Sequence, residues 1–217
     1  MTHAAVPEAP EPEPVLRAES LGLRTRRGWV FRDLTLAVPA GGVAALCGAA
    51  GSGRSMALLA LSGRATTSAG TLDVAGAVAP AVIRTRVAVA RIGGAVELEP
   101  DLRMADHISE RRLLGATGPI DGPADALGVT LRPGAVVGDL GGLDALLFAV
   151  ALAAMDRAAV IVVDDVDLGL DDRDRDLAWQ ALHRLSEHGV AVVAAAAEAP
   201  RTGAVVRYLQ GSESWAS

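Results

Sequence analysis

A glycine-rich turn between two apolar segments is the stretch of this sequence best suited to chemistry. Residues 43–47, V-A-A-L-C, form a short apolar run that predicts a buried strand. Residues 56–61 have the apolar composition and length of a helix that ends near Gly63. Between them, G-A-A-G-S-G-R-S at residues 48–55 fits the pattern G-x-x-x-x-G-[K/R]-S of a phosphate-binding loop, or P-loop. A strand, a glycine turn and a helix are the setting that such a loop requires.

Glycines allow the backbone of such a loop to curl, so that successive main-chain N–H groups point at an anion. The positive end of the following helix adds to this attraction. We therefore predict that the loop binds the phosphates of a nucleotide and that the Ser55 hydroxyl binds Mg²⁺. The alternative is an ordinary glycine-containing turn. The predicted binding residues are Gly48, Ala49, Ala50, Gly51, Ser52, Gly53, Arg54, Ser55 and Met56.

Arg54 stands where a P-loop usually has lysine. Lysine is a compact ammonium that reaches the β- and γ-phosphates, whereas arginine carries the same charge on a wide planar fork. The chain has no lysine, so all 20 of its basic residues are arginines. This bias explains part of the change, but a bias alone does not normally remove a catalytic lysine.

A second apolar run ends in two carboxylates. Residues 158–165, A-A-V-I-V-V-D-D, predict a strand buried on both faces, with its acids at the carboxyl end. Ligands of open parallel sheets bind at that end of the strands. We therefore predict that Asp164 holds Mg²⁺ together with Ser55, often through water. The alternative is a solvated acidic turn.

Composition narrows the class of protein. A chain of 217 residues with 51% hydrophobic residues predicts one domain with a sizeable core. The net charge of −6 argues against a nucleic-acid partner. The longest apolar runs, such as 145–155, are too short to span a bilayer, and the N-terminus does not resemble a signal peptide. A single cysteine, Cys47, predicts a packing role and a cytoplasmic location.

The remaining sequence predicts strands that alternate with helices. Residues 1–14 are rich in Pro, Glu and Ala and predict a disordered tail. A folded domain is expected over 15–211, and a loose C-terminus over 212–217. The pattern is that of an α/β protein with a mainly parallel core sheet. Strands are predicted at 15–25, 29–38, 43–47, 71–74, 87–91, 158–165, 189–197 and 207–210. Helices are predicted at 56–61, 104–114 with Asp101 or a neighbour as cap, 143–155, and from Asp171 and Asp172 to about 187 with Leu177, Leu182 and Leu185 facing inward.

In the order of its motifs, the chain resembles an ATP-binding-cassette (ABC) ATPase, the nucleotide-binding subunit of ABC transporters. The resemblance covers residues 15–211. Besides the P-loop, it depends on L-R-M-A-D-H-I at 102–108, D-L-G-G-L at 139–143 and V-V-D-D-V-D-L-G-L-D at 162–171. It implies a P-loop NTPase fold of the ABC type, with an N-terminal antiparallel β subdomain and an inserted helical subdomain at about 102–155.

The resemblance also implies cofactors and partners. ATP and Mg²⁺ would bind at the P-loop, and Asp165, directly after Asp164, would take the catalytic position that polarises water. Members of the family sandwich ATP between two cassettes, so a second cassette is an expected partner, in a homo- or heterodimer. A separately encoded membrane permease is the other, which would place the protein at the inner face of the cell membrane.

Several positions depart from the family pattern. Leu140 and Leu143 replace the serine and glutamine of the signature, and Asp165 replaces a glutamate. The loop at 92–101 has no glutamine, and Ala197 stands where a histidine is expected. The aromatic that stacks on adenine maps to about Thr25, with Trp29 or Trp215 as substitutes, although Trp29 fits a packed strand residue better.

Two hypotheses therefore stay open from the sequence. One is an ABC transporter subunit that binds ATP·Mg²⁺ and hydrolyses it weakly. The other is a catalytically inactive pseudo-ATPase that regulates an intact cassette or pairs with it asymmetrically. A GTPase is disfavoured because the chain has neither Asn nor Lys for a guanine-reading motif, and a small-molecule kinase because no arginine-rich lid is evident.

Overall fold

The computed structural model describes residues 13–201 and 203–210. Most of the predicted disordered tail (1–14) and all of the predicted loose C-terminus (212–217) lie outside these residues. The first strand begins at Pro14, inside the range predicted for the tail.

Two β-sheets and six α-helices make up the described part of the chain. The strands are β1 (Pro14–Thr25), β2 (Gly28–Pro39), β3 (Val43–Cys47), β4 (Ala69–Val74), β5 (Val87–Arg91), β6 (Val160–Val163), β7 (Ala191–Ala196) and β8 (Val205–Tyr208). The helices are α1 (Arg54–Leu61), α2 (Pro80–Arg86), α3 (Met104–Leu113), α4 (Asp121–Leu127), α5 (Gly142–Ala154) and α6 (Asp172–Ser186), and a 3₁₀ turn covers Val137–Asp139.

The smaller sheet is antiparallel, in the order β2-β1-β4. Its strands bury one side: Leu16 and Leu36 are buried, while the neighbouring Arg17 and Ala37 are exposed. This alternation is the period of a sheet with one buried face. The predicted N-terminal hairpin is therefore confirmed, and β4 extends it.

The larger sheet is parallel, in the order β5-β6-β7-β3-β8. Its three central strands are buried at every residue, because layers cover both faces. In β3, Ala45 and Cys47 join the core cluster that includes residues of α5 and α6, whereas Ala44 and Leu46 join the cluster that includes α1 and the antiparallel sheet. The predicted α/β fold with a mainly parallel sheet is confirmed.

Strand order decides where the two sequence motifs meet. β7 pairs with β3 on one side and with β6 on the other, always in parallel. Since all these strands run in one direction, their carboxyl ends lie at one edge of the sheet. The loop after Cys47 and the acids after Val163 therefore lie at the same edge, one strand apart.

The segment between β5 and β6 contains α3, α4 and α5, where the helical subdomain is predicted. α5 is buried over 146–153, as expected for a helix that is apolar on nearly all sides. The sequence predicts Asp101 or a neighbour as the cap of α3, and the structure places the cap two residues after Asp101. Arg103 is the N-cap, and its N–H donates to the Asp106 carboxylate at 3.0 Å.

Other sequence predictions need correction as well. α2 was not predicted, because its seven residues bury only Ile83. The last strand is Val205–Tyr208 rather than 207–210. Leu177 in α6 is exposed, and Trp179 is buried on that helix instead. Asp171 caps α6 as predicted, since its carboxylate accepts the Asp174 N–H at 2.8 Å.

Candidate nucleotide-binding site

The loop between β3 and α1 is shaped by glycines in left-handed conformations. Gly51 has φ +78° and Gly53 has φ +90°, values that L side chains rarely adopt. A Cβ atom at Gly53 would lie 2.4 Å from the Val30 carbonyl oxygen, so β2 packs directly against the loop. Glycine at this position is therefore required by space as well as by conformation.

The start of α1 suits an anion. Its N-cap is Gly53, which has no side chain to bond the first-turn N–H groups. No acidic residue lies in the first turn. The N–H groups of Arg54, Ser55 and Met56 thus lack the usual capping acceptor at the positive end of a helix dipole.

Asp164 follows β6 and is completely buried. Its Oδ1 accepts the Asp165 N–H at 2.9 Å, but its Oδ2 has no hydrogen-bond partner in the described part of the chain. Burial raises the pKa of this carboxyl group, and the Ser55 hydroxyl partly offsets that effect, although its geometry falls short of a hydrogen bond to Oδ2. An unpartnered, buried carboxylate oxygen is costly, and each such group calls for an explanation.

A divalent cation fits this arrangement. Mg²⁺ takes oxygen ligands and usually binds through one or two protein groups together with water and substrate phosphates. The Asp164 carboxylate and the Ser55 hydroxyl are such ligands, and they lie together as predicted from the sequence. When bound, the ion would neutralise phosphate charge next to the loop. The described residues contain no cluster of three or more His, Cys, Asp or Glu side chains suited to a metal.

Arg54 spans the site. Its Nη1 donates to the Gly48 carbonyl at 2.9 Å, and its Nη2 forms an ion pair with Asp165 Oδ1 at 3.0 Å. The side chains of Arg54 and Asp165 are 12% and 30% exposed. The predicted phosphate-binding arginine is therefore paired with the predicted catalytic carboxylate, a contact that sequence spacing could not reveal.

Arg91, at the end of β5, is a site residue that the sequence analysis missed. Its Nε and Nη2 donate to the Asp164 carbonyl at 3.3 and 3.1 Å, and Nη2 also donates to the Asp165 carbonyl. Burial lowers its pKa. Main-chain acceptors carry no side-chain signature, so nothing in the sequence marked this arginine among the others.

Two of the positions that depart from the family pattern are filled by packing leucines. Leu140 and Leu143 lie beside the main core cluster, and Gly141 is the N-cap of α5. The Ala197 N–H donates to Asp167 at 2.6 Å, which ties down the loop after β7.

The residues considered for an adenine contact lie in the N-terminal hairpin. Thr25 accepts the Arg27 N–H in the turn, and Arg24 lies 5.8 Å above the Trp29 ring. A Cβ atom at Gly22 would come within 2.9 Å of the Trp29 ring, so Trp29 packs against β1 as predicted. Trp215 lies outside the described residues.

Cys47 ends β3 and is fully buried, which agrees with the predicted packing role. Burial raises the pKa of its thiol to about 11, with a smaller contribution from Asp167. The thiol is therefore protonated at neutral pH and unsuited to nucleophilic chemistry.

The parallel sheet and the glycine-rich loop at its edge together define a P-loop α/β domain. The model of the family described as ABC transporter matches residues 31–191. The chain belongs to this family, as the resemblance in its sequence implied. A Streptomyces avermitilis protein that carries the provisional name ABC transporter ATP-binding protein is 31% identical over 188 residues, covering 84% of this chain and 33% of the relative. The chain spans between 23% and 34% of the length of the curated relatives it matches.

Solved structures agree on the fold. A Pyrococcus furiosus protein provisionally named as an ABC transporter ATP-binding protein superposes with a TM-score of 0.73 at 18% identity, covering 89% of this chain and 96% of that one. A dimeric ATP-binding cassette in a post-hydrolysis state, bound to ADP and phosphate, gives 0.72 at 16% identity, covering 90% and 94%. Within the described residues, no helix is both long and apolar enough to cross a bilayer.

The contact between the loop and β2 predicts unequal effects of two glycine substitutions. Gly51→Ala and Gly53→Ala both place a side chain at positive φ, but only Gly53→Ala meets the Val30 carbonyl. We expect Gly53→Ala to lower the free energy of unfolding by roughly 1–3 kcal/mol more than Gly51→Ala, the usual cost of overpacking. Urea unfolding of both variants measures this, and equal losses would show that the loop does not pack on β2 as described.

The buried charge of Asp164 predicts a pH-dependent effect. Because its folded pKa is raised, the folded protein holds this proton to higher pH than the unfolded chain does. Its contribution to stability therefore falls as pH rises above the ordinary value of 3.8. Without metal, Asp164→Asn should raise the free energy of unfolding at neutral pH, and the gain should shrink as pH falls toward that value.

Urea unfolding in EDTA across this pH range measures the difference. Asp165→Asn is the matched control, because it removes an ion pair with Arg54 and should bring no gain. A destabilised Asp164→Asn protein at neutral pH would mean that the carboxylate has a partner.

Proposed function

We propose that this chain is the ATP-binding part of an ABC transporter, which binds ATP·Mg²⁺ and couples it to a separate membrane permease, with weak hydrolysis. The observation that carries the proposal is Asp164 Oδ2, which has no hydrogen-bond partner among residues 13–201 and 203–210 and is buried beside the Ser55 hydroxyl at the sheet edge where the P-loop begins. A site for Mg²⁺ and phosphate accounts both for the buried Asp164 oxygen and for its position beside Ser55 at the P-loop.

Each residue of the loop then has a role. Main-chain N–H groups of residues 48–56 hold the phosphates, while Ser55 and Asp164 hold Mg²⁺. Arg54 leaves Asp165 and turns toward the phosphates, because a triphosphate offers its guanidinium more negative charge than a single carboxylate does. The phosphates therefore compete with Asp165 for Arg54.

Binding of fluorescent ATP at physiological Mg²⁺ tests the proposal. We expect the wild-type protein to bind, and Ser55→Ala to bind on the order of tenfold more weakly in Mg²⁺, as for a lost interaction of about 1.4 kcal/mol. In EDTA the two proteins should bind alike, since only the metal contact differs. Absence of binding at millimolar ATP would refute the proposal.

Hydrolysis would depend on Asp165 as the group that polarises water. Leu140, Ala197 and the loop at 92–101 supply none of the polar side chains that the family uses around the γ-phosphate. Loss of one preorganised group typically costs on the order of 10² to 10³ in rate, and such losses are not additive. This supports slow turnover at best by a pair of identical chains.

A second candidate function is a pseudo-ATPase that pairs with an intact cassette. The ion pair between Arg54 and Asp165 favours the pseudo-ATPase, because the carboxylate of the candidate base is already bound to a guanidinium. Such a chain would still bind nucleotide through its main chain and could present its P-loop to a partner's signature.

Phosphate release from the purified protein separates the two candidates. A weak ATPase should release phosphate slowly, and Asp165→Ala should reduce that rate at least tenfold, since this variant removes the base. Val78→Ala, at a 71% exposed position, is a control that should leave the rate unchanged. Release that Asp165→Ala abolishes would rule out the pseudo-ATPase, and no release above background would rule out the enzyme.

The proposed partners are a second cassette and a membrane permease. Leu113 and Leu114, at the end of α3, are 88% and 76% exposed, and paired exposed leucines are common at binding surfaces. A cytoplasmic loop of the permease would dock on this part of the helical segment. The protein would then lie at the inner face of the cell membrane.

A further inference from the structure

Arg91 forms hydrogen bonds with the main chain of the two acidic residues of the site, Asp164 and Asp165. Its guanidinium donates to the Asp164 and Asp165 carbonyl oxygens, and its own carbonyl accepts the Asp164 N–H at 2.9 Å. The side chain and backbone of one residue thus hold three successive peptide groups that follow Val163.

The register of the sheet brings Arg91 to this position. β5 and β6 pair residue by residue until an irregularity between Val89 and Arg91, after which Arg91 lies opposite Val163. The extra residue places Arg91 level with the last residue of β6. Its side chain therefore reaches the acids that follow.

The hydrogen bonds from the Arg91 side chain to two carbonyl oxygens require an arginine. Arg91 forms no ion pair with a carboxylate in the parts of the chain that the structure describes, and its guanidinium is partly buried. A guanidinium has five N–H donors in a fixed plane and can serve two carbonyls at once. A lysine ammonium has the same charge but no fixed fork.

The conformation that Arg91 holds is an unusual one. Asp165 has φ +49°, in the left-handed region that costs a residue with a side chain on the order of 1–2 kcal/mol. Such a conformation persists only where surrounding contacts enforce it. The same peptide directs the Asp165 N–H at Asp164 Oδ1, and so leaves Oδ2 beside Ser55 without a partner in the described part of the chain.

We propose that Arg91 is a positioning residue for the Mg²⁺ site: by locking the Asp164–Asp165 main chain, it keeps the Asp164 carboxylate aimed at the metal. This rests on the proposed function, since it names how one ligand of that site is held. The Arg91 side chain donates to main-chain carbonyls, so its effect on the site would pass through Asp164.

The test compares Arg91→Met with Arg91→Lys and with a matched control, Arg64→Met. Arg64 also donates to two main-chain carbonyls, those of Ser62 and Val87, but at the opposite end of β5. ATP affinity is measured in Mg²⁺ and in EDTA. We expect Arg91→Met to lose roughly 10- to 100-fold in Mg²⁺, the usual effect of removing a group that orients a metal ligand, and to keep its affinity in EDTA.

Arg91→Lys tests whether charge alone is enough at this position, and Arg64→Met tests whether a loss of stability alone weakens binding. Arg91→Lys should bind as weakly in Mg²⁺ as Arg91→Met, because its charge lacks the fork, and it replaces the Met variant if that protein does not fold. Arg64→Met should keep the full Mg²⁺ effect even if its melting temperature falls. Rescue by lysine, or an equal loss in EDTA, would overturn the inference.

Amide hydrogen exchange in the metal-free protein gives a readout that needs no nucleotide. The Asp165 N–H should exchange at least tenfold faster in Arg91→Met than in the wild type or Arg64→Met, because its peptide is released. If the wild type fails to bind ATP, the proposed function fails, while this exchange still tests the main-chain lock. Unchanged exchange would contradict the lock directly.

Discussion

The structure depends on a buried carboxylate at the edge of a parallel sheet. Asp164 is fully buried, and one of its oxygens has no hydrogen-bond partner among the described residues. Desolvation makes such a charge unfavourable, which is why the pKa of Asp164 is raised. The protein tolerates this cost where the P-loop and the end of β6 meet, and a bound cation would remove it.

Two arginines, Arg54 and Arg91, stabilise the acidic segment that follows β6, each through different contacts. Arg91 binds main-chain carbonyls and fixes the path of the chain, whereas Arg54 binds the Asp165 side chain and the Gly48 carbonyl and links the loop to the strand end. Under the proposed function, only the Arg54 contacts would compete with a phosphate for a guanidinium. The Arg91 contacts are therefore suited to permanent support of the main chain, and the Arg54 contacts to displacement by a ligand.

Patterns of burial explain how much of the fold could be predicted. The strands Val43–Cys47, Val160–Val163 and Ala191–Ala196 are apolar throughout because both faces are covered, and such runs are visible without a structure. The P-loop was visible because positive φ and close packing restrict its positions to glycine. α2 and β8 bury little, so their patterns are weak, and one was missed and the other displaced.

The site could be predicted only where its residues belong to a local pattern. Ser55 and Asp164 follow strands that the sequence marks, and the sheet order brings them together. Arg54–Asp165 joins residues far apart in the chain, and Arg91 bonds to carbonyls that every residue possesses. Contacts of these kinds depend on the register between strands, which the sequence does not state.

The most direct test of this account is a crystal structure with a non-hydrolysable ATP analogue and Mg²⁺. The account predicts phosphates against the N–H groups of residues 48–56, and Mg²⁺ at about 2.1 Å from the Ser55 hydroxyl oxygen, with Asp164 bound to it directly or through one water. Arg54 should have left Asp165. Phosphates bound elsewhere, or a metal without Ser55 and Asp164 around it, would contradict the account.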